Sequence, residues 1–483
     1  MQVKREKDSI ANYLEDASNL PGGWAKEVFL PENTLEASQI LRQANQKKTP
    51  VTVSGGGTGT AGGRIPFGGV VLSTEKLKGI KIENGSGKSY AEVGAGVLIQ
   101  DLKQKALEKK LFYPYDPTEQ TAFVGGTIAT NASGARSLKY GSTRQFVQSL
   151  EVVLADGNIV HIRRGEHKAK GFKFNVKLGD TQYMIPVPTY KMPAVRKHSA
   201  GYFAQENMDL VDLFVGQEGT LGLLASAKLS LVKEPFDIFS CFAFFIDEPK
   251  SWEFAARAAD AGCLSVEYLD INALNLMRDT YSNIPPGAKS CVFFEVEMEK
   301  SKEEDVLSFW DKMLSEYGVN IENTWVAMTE QERKEFQQKR HSIPEKINDF
   351  VRAHSMPKVS TDLAVPRERL SEMMRYYKQI LPATGLEHFI FGHIGDAHLH
   401  TNLLPETEQE LVTAKEAAEK LIRKSIELGG TVSAEHGIGK MKRQYLLMLY
   451  GEDGIKQMAE VKRSLDPNFI LNRGDIIDEE YLR

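Results

Sequence analysis

The chain has 483 residues, enough for about three compact units around a large buried core, and its 41% hydrophobic and 26% charged residues exclude both a stapled mini-protein and a disordered chain. Sixty Lys and Arg stand against sixty-five Asp and Glu, a net charge of −5 with neither sign concentrated, so no nucleic-acid footprint is present. Three scattered cysteines, Cys241, Cys263 and Cys291, encode neither a disulfide framework nor an iron–sulfur site.

Residues 1–7 run into an alternating polar and apolar segment without an apolar signal region, and the longest apolar stretch, residues 239–246, is far short of the ~18 residues a membrane span needs. The expected setting is therefore the cytoplasm, with any membrane contact made through a partner. Residues 33–49 carry Ala37, Ile40, Leu41 and Ala44 at helical spacing, and Pro50 then opens a strand at 51–54. Between 51 and about 235, β-branched segments at 69–73, 89–93 and 150–154 alternate with glycine turns, which predicts an α+β region. Near Glu234-Pro235 the texture changes to buried strands at 239–246 and 291–296 separated by charged amphipathic helices, so the main domain boundary is placed near 235.

Residues 54–63, Ser-Gly-Gly-Gly-Thr-Gly-Thr-Ala-Gly-Gly, contain Gly57-x-Gly59-x-x-Gly62 directly after a predicted strand. A nicotinamide-binding turn would open a helix there, but Arg64-Ile-Pro66 and another strand follow instead, which argues against that fold. The loop still exposes successive backbone N–H groups and suits phosphate oxygens. A second glycine-rich stretch, residues 116–141, adds another phosphate-sized nest. Two nests favour an extended dinucleotide.

The runs 50–63, 116–141, 153–157 and 215–222 together resemble the FAD-binding half of the family that includes vanillyl-alcohol oxidase and p-cresol methylhydroxylase, and the likeness extends over nearly the whole chain. The resemblance implies an α+β protein in three parts: a two-subdomain FAD-binding domain over 1–235, a substrate domain with an antiparallel sheet over 236–460, and a segment, 461–483, that packs back on the first domain. It implies FAD held by Ser54, Gly55, Gly56, Gly57, Thr58, Gly59 and Gly62 in the first loop. Pro117, Thr118, Gly125, Gly126, Thr127, Asn131, Ser133, Gly134, Tyr140 and Gly141 would serve from the second stretch, and Glu218, Gly222 and Asn472 from farther along. Residues 54–63 contain no His or Cys and no Cys precedes 241, so the expected attachment is non-covalent. His198 is expected to line the active site.

The segment from His388 to Asn402 reads as two β arms joined by Gly395-Asp396, which suits a two-residue type II′ hairpin. His393 then faces His398, with His400 and Asn402 on the same face, and Phe391, Leu399 and Thr401 are assigned to the other. A helical stripe of Leu411, Ala414, Ala418 and Leu421 runs toward Gly429-Gly430, and a predicted strand at 431–434 delivers Glu435-His436. Two imidazoles and a carboxylate form the ligand set of an open divalent-metal site.

Within the same family, Gly392 to His400 and Glu435 to Gly439 match the Gly-His-x-Gly-Asp-x-x-x-His and Glu-His-Gly-Ile-Gly motifs of the branch containing D-lactate dehydrogenases, D-2-hydroxyglutarate dehydrogenase and the flavin subunit of glycolate oxidase. The resemblance implies that His393, His400 and Glu435 bind the metal, zinc first with manganese or iron as alternatives. Asn402 would contact the substrate, His436 act as general base, and Arg340 capture a substrate carboxylate. Ala397-His398 departs from the common Gly-Asn pair, which leaves His398 either on the metal or lining the pocket. Lys358 stands four residues before Asp362, a spacing at odds with the family's substrate-binding lysine, while Asp270 and residues 466–474 fit the branch.

The implied reaction is FAD- and metal-dependent dehydrogenation of a small D-2-hydroxy acid of the lactate, glycolate or 2-hydroxyglutarate type to the 2-oxo acid. Electrons would pass to a separate acceptor such as an electron-transfer flavoprotein or a quinone-linked subunit, and a homodimer is compatible with this picture. The alternatives are a redox-neutral FAD enzyme like alkyl-glycerone-phosphate synthase and a flavin subunit that only conducts electrons. A zinc hydrolase would leave both glycine nests without a role.

Overall fold

The computed structural model describes residues 1–482 other than Ser86, Asp116, Thr118, Phe236 and Ser355, with Lys300 described by its backbone alone. The expected phosphate contact of Thr118 thus lies outside the described residues. Strands β1 (Gln2–Lys4), β2 (Val28–Leu30), β3 (Val51–Ser54) and β4 (Val70–Ser73) form a sheet in the order β1-β2-β4-β3, parallel from β2 onward. The helix Thr34–Lys47 covers it with Ala37, Ile40, Leu41 and Ala44 buried, and its Asn33 side chain accepts from Glu36 N, a hydrogen-bonded N-cap.

A second sheet takes β5 (Ile80–Asn84), β6 (Ser89–Gly94), β8 (Val147–Val153), β9 (Ile159–Arg163) and β12 (Leu223–Lys233) in the antiparallel order β5-β6-β12-β8-β9, with β7 (Leu111–Phe112) on the end of β12. The strands β10 (Lys173–Leu178) and β11 (Thr181–Pro186) make a separate hairpin.

From residue 237 onward the chain builds one antiparallel sheet of seven strands. These are β13 (Asp237–Phe245), β14 (Ser265–Asp270), β15 (Ser290–Met298), β16 (Thr324–Ala327), β17 (Val359–Ala364), β18 (Glu387–Gly392) and β19 (His398–Leu404). Their order is β16-β13-β15-β14-β18-β19-β17. Period-two alternation sends Phe242 and Phe293 to a core with Phe336 of the helix Glu330–His354, and Phe245 and Phe294 to the opposite core. That second core is continuous with the side chains behind the β5–β12 sheet.

The later residues are tied to the earlier ones at several points. Arg136 and Glu295 form a buried ion pair at 3.0 Å, with Ser265 Oγ donating to the same carboxylate, also at 3.0 Å. The Arg136→Ala variant is expected to lose about 3–5 kcal/mol of stability, because Glu295 would stay buried without its cation; a denaturation midpoint equal to that of the parent would contradict this. Farther on, Leu471 bridges Val51 in parallel, with Val51 N donating to Ile470 O at 2.7 Å and Asn472 N to Val51 O at 2.9 Å. Residues 470–472 thereby extend the first sheet beside β3. The three cysteines are all buried and unpaired. Among the described residues no helix is long and apolar enough to cross a membrane.

Candidate active site

The β18–β19 hairpin carries the expected register, with Phe391 opposite His400 and Phe389 opposite Asn402. Two details differ from the sequence reading. Phe391, paired with His400, shares its face, and the two rings lie 6.1 Å apart. The connection is not a two-residue turn: residues Ile394–Asp396 form a 3-10 turn and Ala397 takes a left-handed φ of 52°. The cause is electrostatic, since Asp396 is pulled inward by Arg196 at 3.0 Å and the buried Lys197 at 3.5 Å.

The predicted strand 431–434 is likewise reduced to a single bridge between Thr431 and Ala364. Beyond it the Asp362 carboxylate captures the backbone, accepting from His436 N at 3.0 Å and Glu435 N at 3.3 Å, and so bends the segment off the sheet. Ser433 Oγ and Lys442 Nζ donate to the same oxygen at 2.8 and 3.2 Å.

These elements bring His393, His398, His400 and Glu435 together, with one donor atom from each lying within 4.8 Å of the others. Glu435 Oε1 stands 3.4 Å from His393 Nε2 and 3.3 Å from His400 Nε2. Its other oxygen accepts from Ser133 Oγ at 3.0 Å and Lys197 Nζ at 3.4 Å. The set of imidazole nitrogens and one carboxylate suits a divalent cation. Behind it, His393 Nδ1 is 2.5 Å from Glu267 Oε1, while Arg340 binds Glu267 Oε2 at 2.8 Å. A carboxylate behind an imidazole fixes the tautomer and turns the far nitrogen into a better ligand.

The charges are correspondingly shifted. Burial alone would raise the Glu267 carboxyl, but Arg340 and His393 hold it far below the usual carboxylate range. Burial opposes charge on Glu435 too, and Lys197 and His393 outweigh it. Burial pushes the His436 imidazole down to about 4 despite Asp362 at 3.4 Å, so the ring is neutral near pH 7. Its plane stacks on His400 at 5.3 Å and 19°. Asn402 accepts from Ser360 Oγ at 2.7 Å on the same face.

The two glycine stretches meet in space. A Cβ on Gly55 would lie 3.8 Å from Gly126 Cα, whereas one on Gly59 or Gly126 would meet nothing within 4 Å. The open strip beside Gly59 and Gly126 suits a phosphate chain, because backbone N–H groups can be approached without side-chain obstruction. Arg64 buttresses the loop from behind, donating to Gly55 O at 2.9 Å and crowding Gly57, whose φ is 83°. We expect Gly126→Leu to fold, since its Cβ has room, yet to come out colourless; retention of stoichiometric flavin would contradict the loop's assignment.

Other expected cofactor residues are placed in supporting contacts. Asn131 bonds His198 O and Arg144 N, and Thr127 Oγ1 donates to Val124 O. Glu218 accepts from Ile438 N at 2.9 Å and Gly439 N at 2.7 Å, and Asn472 ties Glu218 O to Val53 N. Gly125 and Gly222 pack against Ala95 and Val152, Gly62 against Leu20, and Gly134 O accepts from Lys197. Ser54 is fully buried at the end of β3, and Gly56 faces Phe123. Thr58 is partly buried in the loop, Pro117 O accepts from Gln120, Tyr140 packs near Phe112 and Gly141 takes a φ of 81°.

His198 is engaged at both ring nitrogens, by Thr431 at 2.8 Å and Tyr450 at 3.0 Å, rather than by any member of the histidine cluster. Lys358 bonds Asn348 at 3.0 Å, and Asp270 caps the helix Ile271–Arg278.

Glu267, Lys197 and Asp362 are the site residues that sequence reading did not single out. Glu267 carried a signal, as the one charge between Ser265 and Leu269 of a strand buried on both sides.

Comparison with known proteins bears on the fold and the family. Residues 25–163 match an FAD binding domain, and residues 240–476 match the C-terminal domain of FAD linked oxidases. The chain is 31% identical to glycolate oxidase subunit GlcD of Bacillus subtilis, covering 97% of this chain and 92% of that one. It is 30% identical to a D-lactate dehydrogenase of Anaerostipes hadrus, with 96% and 92% covered, and 26% identical to the mitochondrial D-2-hydroxyglutarate dehydrogenase of Danio rerio, with 93% and 78% covered. A solved alkyldihydroxyacetonephosphate synthase superposes over 98% of this chain and 82% of its own, with a TM-score of 0.69 at 14% identity, which speaks for the shared fold. The two matched domains and these full-length relatives together make the chain an oxidoreductase that belongs to the FAD-linked oxidase family.

Proposed function

We propose that the chain oxidises a D-2-hydroxy acid of the lactate, glycolate or 2-hydroxyglutarate type to the 2-oxo acid, with non-covalent FAD and a divalent cation held by His393, His400 and Glu435. The observation that carries the reading is the convergence of those three donors beside the neutral imidazole of His436. In this reading, residues 1–235 form the cofactor domain, 236–460 the substrate domain, and 461–483 a segment that completes the first.

When bound, the cation supplies a Lewis acid for the substrate's oxygens and the flavin a two-electron hydride acceptor. The protein's own groups do the rest. His436 takes the hydroxyl proton, as a general base on a ring already stacked against the ligand His400. Arg340, its guanidinium held in plane by Glu267, receives the substrate carboxylate with a directionality that a lysine lacks. Asn402, set by Ser360, offers its amide N–H group to a substrate oxygen. The products are the 2-oxo acid, one proton and a two-electron-reduced flavin. A separate acceptor, an electron-transfer flavoprotein or a quinone-linked subunit, reoxidises the flavin.

The test is anaerobic bleaching of flavin absorbance by D- and L-lactate, glycolate, 2-hydroxybutyrate, malate and 2-hydroxyglutarate, each with and without chelator. One D-2-hydroxy acid is expected to bleach rapidly and chelator to suppress it. A yellow protein that no hydroxy acid bleaches would instead favour a redox-neutral enzyme.

A further inference from the structure

His398 is fully enclosed, and the mechanism above makes no use of it. Its Nε2 lies 2.9 Å from Asp362 Oδ1. Asp362 accepts from Ser433 Oγ, Lys442 Nζ and the backbone N–H groups of Glu435 and His436 on its other oxygen, the pattern of a carboxylate that only accepts, so the bond calls for a proton on His398 Nε2. The lone pair is then on Nδ1. That atom is shielded from solvent, has no hydrogen-bond partner among the described residues, and stands 4.0 Å from Glu435 Oε2.

His393 shows the same arrangement in mirror image. Its Nδ1 is committed to Glu267 and its Nε2 faces Glu435. Two rings thus each have one nitrogen fixed by a buried carboxylate and the other turned toward a common centre, which is how proteins orient imidazoles for a cation. His400 completes the group, its ring 4.6 Å from that of His398 and 5.8 Å from that of His393. A second donor set, Asp362, His400 and His436, is also close enough to hold an ion. There the Asp362 oxygens are already occupied by His398, Ser433, Lys442 and two backbone N–H groups. An orphaned buried nitrogen is a costly feature without a ligand, and it belongs to the first set alone.

We propose that His398 Nδ1 is a fourth protein ligand, so that three imidazoles and one carboxylate select a six-coordinate divalent cation such as manganese, iron(II) or cobalt over four-coordinate zinc. The inference rests on the metal-site reading given under Proposed function and deepens it. A tetrahedral zinc with four protein ligands has no vacancy. A six-coordinate ion keeps two, and a 2-hydroxy acid has two oxygens to place there, its hydroxyl and one of its carboxylate.

The test uses the full-length, FAD-loaded protein reconstituted with manganese(II) or cobalt(II). X-ray absorption on the bound ion should count three imidazoles, and the His398→Asn variant should lose about 10²-fold in affinity by chelator competition while keeping its flavin. Zinc-loaded protein should bleach with hydroxy acid more slowly than manganese-loaded protein. Two imidazoles in the parent protein would overturn the proposal and leave the three-ligand site standing, and this count does not depend on the variant folding. Unchanged affinity in a folded His398→Asn protein would overturn it as well. Failure to take up any of these ions would overturn both the proposal and the metal-site reading beneath it.

Discussion

His436→Ala is expected to slow anaerobic flavin reduction by a 2-hydroxy acid about 10²–10⁴-fold, the usual worth of a positioned general base. The framework should survive, because the hydrogen bonds that shape the loop come from groups other than the His436 ring. Asp362 accepts from the His436 N–H, which alanine keeps, and also from Glu435 N, Ser433 Oγ and Lys442 Nζ. Flavin content and metal affinity should therefore stay near those of the parent while the chemical step fails. Stopped-flow bleaching at saturating substrate separates the two effects. A rate within tenfold of the parent would place the base elsewhere.

Glu435→Ala should remove activity altogether, by a different route. The residue's Oε1 is the anionic ligand atom shared by His393 and His400, and without it the cluster offers imidazoles alone. Metal affinity is expected to fall by at least about 10²-fold, more than the loss of a supporting contact costs. Bleaching should then match that of the chelated parent.

The other oxygen holds Ser133 and the buried Lys197, so the alanine variant also leaves an ammonium short of one carboxylate. Such a loss costs about 3–5 kcal/mol when nothing compensates, and here Asp396 at 3.5 Å takes up part of it. Glu435→Gln retains an acceptor for Ser133 and should be the more stable of the two, yet equally inactive. Metal titration of both variants beside their melting temperatures checks the prediction. Full metal occupancy in Glu435→Gln would show that the negative charge is dispensable.

Elements whose pattern is local were legible in the sequence. The stripe Ala37, Ile40, Leu41 and Ala44 is the buried face of Thr34–Lys47, and the β18–β19 register follows from where the histidines repeat. The turn between those strands was not legible, because its shape is set by ion pairs from Asp396 to Arg196 and Lys197, partners some two hundred residues away. For the same reason Glu267 escaped notice as the support of both His393 and Arg340, since that link joins three separated segments. Phe391 is a different matter. Strict alternation already placed it on the histidine face, and the assignment to the other face broke that rule. Motif matching located the glycine loops, but it could not separate Gly126, whose surroundings are open, from Asn131 and Asn472, whose amides bind the protein itself.

The bridge that residues 470–472 make beside β3 bears on how the protein is made. Val53 and Asn472, joined by a hydrogen bond, are 419 residues apart. On the ribosome, β3 therefore emerges with an unpaired edge and waits for nearly the entire remaining chain before its neighbour is synthesised. The glycine loop that begins where β3 ends has Arg64 behind it but lacks this neighbour for the same interval. A nascent chain halted before residue 470 would thus hold the glycine loops without the bridge beside β3 and without the Asn472 contact to Val53.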